Sequence, residues 1–187
     1  MIVKDRKATA PSLLLSALAV CCVFFSCCGG PLQKHDSLNL TDSEKHAAID
    51  RMVAEYRKDY EGVPELSVSE LVSRMKTDEV VLVDVRTQPE QAVSMIPGAI
   101  PYTEFEARKE ECSDKTIVAY CTIGSRSGNY AATLRREGLD AYNLEGSILA
   151  WAHAGRSLID SEGAETRQVH VYGPKWNLLP KGFIPIW

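Results

Sequence analysis

Two stretches of the chain carry apolar residues without alternation: Val80-Val81-Leu82-Val83-Asp84-Val85 and Thr116-Ile117-Val118-Ala119-Tyr120. Runs of this kind predict strands buried on both faces of a parallel sheet. Ala141-Tyr142-Asn143-Leu144 predicts a third strand, and Ile96-Pro97-Gly98-Ala99-Ile100-Pro101 a loop leading into a short one. Between them the period changes. Thr41-Asp42-Ser43-Glu44 has the capping-box pattern, and Ile49, Met52, Val53, Tyr56 and Tyr60 follow on one helical face. This predicts an amphipathic helix over residues 41–61, stopped by Gly62-Val63-Pro64. Ser67-Val68-Ser69-Glu70 opens a second, shorter helix to about residue 76. Residues 128–137 predict a helix closed by Gly138, and residues 147–153 a helical turn or two.

Strands alternating with helices define an α/β class, a central mainly parallel sheet flanked by helices on both faces. In such sheets ligands bind beyond the carboxyl ends of the strands. Asp84-Val85-Arg86 and Cys121 both fall there. Towards the C-terminus, Gln168-Val169-His170-Val171-Tyr172 alternates like an edge strand, and Trp176, Phe183 and Trp187 are placed to pack across the domain surface.

The N-terminus follows a different pattern. Lys4, Arg6 and Lys7 form a basic region, and residues 13–25 are 13 positions interrupted only by Ser16. That length suits a signal-peptide core, and a short signal anchor is the alternative. Phe25-Ser26-Cys27 places a small residue before a cysteine, as at a bacterial lipoprotein processing site, which makes Cys27 a candidate lipid acceptor; membrane-proximal palmitate is a second route. A transit peptide or a mis-assigned start are the bland readings. Attachment to a membrane through the N-terminus, or export, is the expectation. Residues 29–40 read as a tether without apolar periodicity.

Composition narrows the function classes. Of 187 residues 45% are hydrophobic and 25% charged, with a net charge of -4, which fits one globular domain with appendages. Mild acidity and the lack of a basic stripe with interleaved aromatics argue against nucleic-acid binding. Cys21, Cys22, Cys27 and Cys28 lie in the first 28 residues, which leaves Cys112 and Cys121 for the folded part. That is no disulfide framework, and the four dispersed His residues form no ligand pattern with the cysteines. No metal and no organic cofactor are expected.

The chemistry concentrates in Cys121-Thr122-Ile123-Gly124-Ser125-Arg126-Ser127. A cysteine at the end of a buried strand, followed by a Gly-containing loop and a helix start, meets converging amides and a helix dipole. Both favour the thiolate, and Arg126 adds a charge that does not titrate away. The backbone amides of Thr122, Ile123, Gly124, Ser125, Arg126 and Ser127 would cradle an anionic sulfur, with hydroxyls of Thr122, Ser125 and Ser127 as further donors. Arg86, at the end of the neighbouring strand, is either a second cation at the mouth or half of a surface ion pair with Asp84 or Glu90. Cys112 is either a resolving thiol for Cys121 or an incidental loop cysteine. His153 is read as a helix C-terminal residue favoured by the dipole, and Trp151 as core.

These motifs, in order, carry a family resemblance. Ser67-Val68-Ser69-Glu70-Leu71, Val83-Asp84-Val85-Arg86, Ile96-Pro97-Gly98-Ala99, Ile117-Val118-Ala119-Tyr120-Cys121, Gly124-Ser125-Arg126-Ser127, Asn143-Leu144-Glu145-Gly146 and Ala150-Trp151 together resemble a single rhodanese-like domain. Departures are Met95, where the family often has His, and Ser147, where it often has a second glycine. The resemblance implies a sulfurtransferase: Cys121 accepts sulfane sulfur from a small anionic donor such as thiosulfate and passes it to a small-thiol or protein-thiol acceptor. A related phosphatase would have five residues between Cys and Arg; Cys121 and Arg126 enclose four. A non-catalytic binding or redox-sensing module is the other alternative. The expected layout is a signal peptide or anchor over 1–28, tether 29–40, helix 41–61, domain 65–160 and a C-terminal extension over 161–187. If Cys27 is the lipid acceptor, the chain takes up radioactive fatty acid and Cys27→Ala abolishes the label; an unlabelled parent chain rules the lipid out.

Overall fold

The computed structural model describes residues 40–76 and 80–187. The expected signal segment, Cys27 and nearly all of the tether lie outside them. Five strands form the central sheet: β1 (Glu65–Leu66), β2 (Val80–Asp84), β3 (Ile100–Pro101), β4 (Thr116–Tyr120) and β5 (Ala141–Leu144). Their order is β1-β5-β4-β2-β3, and every pairing is parallel. Apolar residues alternate between two cores, as the period of two requires. Leu82, Val118, Tyr120 and Leu144 enter one cluster, and Val83, Ile117 and Ala141 the other.

Helices cover these faces. α1 (Asp42–Tyr56) opens with the capping box: the Glu44 amide donates to Thr41 Oγ1 at 3.3 Å, and the Thr41 amide donates to Glu44 Oε2 at 2.8 Å. Its Ile49 and Val53 are buried with Ile148 and Leu149 of the sixth helix. Past α1 a 3-10 turn, Arg57–Tyr60, buries Tyr60. The Tyr60 ring packs so closely on Gly128 that a Cβ there would lie 2.4 Å from it. Capped by Ser67, α2 (Val68–Arg74) follows. Next come α3 (Gln88–Val93), α4 (Tyr102–Ala107), α5 (Ser125–Arg136) and α6 (Ser147–His153). The sequence reading starts α5 at residue 128; it begins at Ser125, because Gly124 at φ 117° turns the chain directly from the loop into the helix. α3 and α4, six residues each, have no counterpart in the sequence reading.

Two small sheets follow the main one, the first joining the end of the domain to the C-terminal extension and the second within the extension. β6 (Leu158–Ile159) pairs antiparallel with β7 (Glu165–Thr166), and β8 (Gln168–His170) pairs parallel with β9 (Ile184–Ile186). The expected edge strand is therefore not on the main sheet; it pairs within the extension, and Val169 and Val171 enter the core. Phe183 packs against the same core, whereas Trp187 is 61% exposed, contrary to expectation. The extension is tied to α1: Lys45 Nζ donates to the Leu179 carbonyl at 2.9 Å and the Lys181 amide donates to Asp42.

Arg86 is not a cation at the mouth; it pairs with Asp84, one of its two expected partners, but in the core rather than at the surface. It is 3% exposed, and its guanidinium donates to the fully buried Asp84 carboxylate at 2.6–3.2 Å. Nη2 also donates to the Ser94 carbonyl at 2.5 Å. Tyr120 donates its hydroxyl hydrogen to Asp84 Oδ2 at 2.7 Å and accepts from the Ile96 amide at 3.1 Å. An arginine beside a buried carboxylate is drawn inward, because leaving that charge unpaired costs more than burying its partner. Arg86→Met should therefore destabilise the chain by roughly 3–5 kcal/mol, measured as a fall in the urea midpoint at unchanged slope; a loss under about 1 kcal/mol would contradict the buried-pair account.

Candidate functional site

β4 ends at Tyr120, and the next residue, Cys121, is 1% exposed at the head of a tight loop. The loop is shaped by what its polar groups meet. Its carbonyls point to the start of α6: the Ile148 amide donates to the Cys121 carbonyl at 3.2 Å and the Leu149 amide to that of Thr122 at 3.3 Å. The Cys121 amide donates to the Ser147 hydroxyl at 3.0 Å. With the carbonyls engaged outward, the Gly124 amide is free to donate to Cys121 Sγ at 3.1 Å. Burial pushes the Cys121 thiol up. The Ser127 hydroxyl, the Ser127 and Gly124 amides and the Arg126 charge outweigh it, so the net shift is downward. The donors and the Arg126 charge therefore favour the anionic sulfur more than burial disfavours it.

Arg126 does not stand free beside it. Its Nη1 and Nη2 donate to Glu90 Oε2 and Oε1 at 2.9 and 2.8 Å, a bidentate pair. Glu90 is 1% exposed and also accepts from the Thr87 amide at 2.9 Å and the Thr87 hydroxyl at 2.7 Å. Thr122 Oγ1 donates to Glu90 at 3.3 Å and accepts from Arg126 at 3.1 Å. Burial works against the carboxylate, yet Arg126 and Thr87 hold Glu90 down at about 2.

The expected loop residues are thus together, but their side chains divide in two. Ile123, Ser125 and Arg126 line the opening above the sulfur. The Thr122 hydroxyl faces Glu90, and Ser127 is buried, donating to Asn143 Oδ1 at 2.7 Å. Thr122 also lines the opening, with its hydroxyl engaged by Glu90, and Ser127 lies beneath the sulfur. Arg86 lies in the core.

Two residues were missed. Glu90 is signalled in the sequence by the Thr87-x-x-Glu90 capping box, but its partner Arg126 is 36 positions away and no local pattern reveals it. Ser147, at φ 51°, holds the Cys121 amide in a conformation that usually calls for glycine.

Cys112 is a core residue rather than a loop thiol, buried with Phe105 and Leu134 at the opposite end of β4 from Cys121. A five-residue strand is about 16 Å long, far beyond disulfide reach, and both cysteines are free. His153 sits at the end of α6, but burial lowers its pKa, against the expected dipole effect, and Nε2 meets the Leu178 carbonyl at 2.8 Å. Trp151 is 5% exposed, its indole N–H on the Ser157 carbonyl. Among the described residues no group of three or more His, Cys, Asp or Glu could hold a metal ion, and no helix is long and apolar enough to cross a membrane.

A cavity of about 340 Å³ opens over Cys121. Leu149 forms one side; Tyr56 from the end of α1, and Tyr172 and Trp176 from the C-terminal extension, form the others. The Tyr172 ring lies 5.3 Å from the Arg126 guanidinium carbon.

The structure is thus a parallel α/β domain that presents a buried cysteine from a strand-to-helix loop. Comparison places it more closely. Residues 67–154 match the family model described as a rhodanese-like domain, and the chain belongs to that family. It is 38% identical over 106 residues to a sulfurtransferase of Allochromatium vinosum, covering 54% of this chain and 99% of that one. A tRNA sulfurtransferase of Desulfurococcus amylolyticus is 33% identical over 105 residues, 54% of this chain but 21% of its own. Among solved structures, a rhodanese-like domain protein from Staphylococcus aureus is 28% identical with a TM-score of 0.42, covering 48% of this chain and 91% of that one. With its rhodanese-like domain and sulfurtransferase relatives, the chain is sulfurtransferase-like at the level of the family.

The Glu90–Arg126 pair has a pH signature. The folded pKa of about 2 lies below the ordinary 4.5, so the stabilisation is complete above pH 4.5 and is lost as the pH falls through about 2. Glu90→Gln should cost roughly 2–3 kcal/mol at neutral pH and flatten the acid limb of stability against pH, measured by urea titration across that range.

Proposed function

We propose that the protein transfers sulfane sulfur through a persulfide on Cys121. The observation that carries this reading is the Gly124 amide donating to the buried Cys121 Sγ at 3.1 Å at the head of a four-residue Cys-to-Arg loop, with the thiol pKa shifted downward. With thiosulfate as donor, the Cys121 thiolate attacks the outer sulfur. The new S–S bond forms on Cys121, the old one breaks, and sulfite leaves with the electron pair. The persulfide anion keeps the charge, so no separate general base is needed. An acceptor thiolate then attacks the outer sulfur of the persulfide, takes it as its own persulfide and returns Cys121 as thiolate.

Four residues between Cys121 and Arg126 make a small ring of amides, suited to one sulfur rather than a tetrahedral phosphate. Sulfurtransferases among the relatives support the same direction. The work is assigned to a compartment outside the cytoplasm, or to a membrane surface there, on the strength of the apolar run at residues 13–25.

Incubation of the full chain with thiosulfate should add one sulfur to its intact mass, and Cys121→Ser should abolish the gain. A chain that gains no sulfur from any sulfane donor yet binds a protein partner specifically would be a binding module; turnover of a phosphoester would make it a phosphatase.

A further inference from the structure

The walls above Cys121 are unlike its floor. Tyr56, Tyr172 and Trp176 all lie outside residues 67–154, the span that matches the family model. They are aromatic, and with Ile123 and Leu149 they give the opening an apolar lining. Two of the three come from a segment held in place by its own contacts. Val169 and Val171 are fully buried just before Tyr172, and β8 is fastened to β9. Tyr172 itself stands at φ 62°, a conformation uncommon for a bulky side chain, and this turns its ring over Arg126.

Charge at the opening is balanced. Arg126 is the only cation among the described residues that line it, and the Glu90 carboxylate neutralises it through two hydrogen bonds. One guanidinium face is covered by Tyr172. The Tyr172 pKa is raised, by burial first, so the phenol is neutral. A small inorganic dianion entering here loses water without meeting an uncompensated positive charge. An apolar group meets three aromatic rings in a cavity of about 340 Å³, ample for a ring-sized body.

We propose that the preferred sulfur donor is an organic sulfane carrier with an aromatic or aliphatic body and at most one negative charge, seated against Tyr56, Tyr172 and Trp176. This rests on the sulfur-transfer reading above and specifies its substrate class. For an organic thiosulfonate, the Cys121 thiolate attacks the terminal sulfur. The S–S bond to Cys121 forms, the bond between the terminal and sulfonyl sulfurs breaks, and the sulfinate leaves with the electron pair. One negative charge stays on the persulfide and one departs with the sulfinate, as two entered.

The test compares benzenethiosulfonate, methanethiosulfonate and thiosulfate, following sulfur gain on the full chain by intact mass. Each rate constant is divided by that donor's rate constant with free cysteine, which removes intrinsic reactivity. The normalised rate with the phenyl donor should exceed that with the methyl donor about tenfold or more, as expected when a further ring of carbon is buried, and should exceed that of thiosulfate. Tyr172→Ala/Trp176→Ala should bring the phenyl-to-methyl ratio close to one, whereas Tyr172→Phe should keep it. A phenyl-to-methyl ratio near one in the parent chain, thiosulfate as the fastest normalised donor, or a preference that survives the double substitution would each overturn the proposal while leaving sulfur transfer intact. No sulfur gain from any of the three donors would overturn both.

Discussion

A buried carboxylate at the end of the central strand pair is the constraint on which the site is built. Asp84 closes β2, in register with Tyr120, the last residue of β4. Its charge is satisfied by Arg86 from its own chain and by the Tyr120 hydroxyl across the sheet. Such a pair contributes little net stability, because desolvating two ions offsets their attraction, but breaking it is costly. Its value is positional. Arg86 reaches on to the Ser94 carbonyl at the end of α3, and Gln91 on α3 donates back to the carbonyls of Asp84 and Arg86 at 3.0 and 2.9 Å. A six-residue helix that would not persist alone is thereby held on the sheet, and with it Glu90.

From Glu90 the constraint passes to the reacting atom. The carboxylate grips Arg126 and Thr122, two residues of the Cys121 loop, from one side. On the other side the first amides of α6 and the Ser147 hydroxyl take the loop's backbone. Clamped from both sides, the loop has its Gly124 amide turned to the sulfur. Burial alone would raise a thiol pKa; the fixed donors and the Arg126 charge turn the net shift at Cys121 downward. Donors positioned before a ligand arrives would need no reorganisation to hold the anionic persulfide of the proposed reaction.

Much of this frame is legible in the sequence because it is encoded locally. Unbroken β-branched runs mark β2 and β4, capping boxes mark the starts of α1 and α2, and the Cys-to-Arg spacing marks the loop. What escapes is set by contacts distant in sequence. α3 and α4 are too short for a periodic signal, and α3's capping box is visible only once one asks for it. Arg86 reads as a mouth cation because its position on the strand end is clear, whereas the inward turn depends on Asp84 being sealed. Arg126 reads as free because its partner Glu90 lies on another element. The alternation in residues 168–172 is genuine, but only a tertiary contact decides that the strand pairs with β9 rather than joining the main sheet.

The flanking segments therefore alter the site more than their distance from Cys121 suggests. α1 reaches the domain through Tyr60, whose ring lies on Gly128 of α5 and whose hydroxyl lies 3.3 Å from Asn143 Nδ2, next to the Ser127 contact. That anchoring carries Tyr56 to the rim. The C-terminal extension is held to α1 at Lys45 and Asp42 and delivers Tyr172 to the face of Arg126. The sheet and loop set the reactivity of the sulfur, while helix and extension set what can approach it. Because Glu90 cancels the only cation among the described residues lining the opening, the proposed selection among donors rests on the shape and apolar surface of those added walls. Long-range attraction of anions has little part in it.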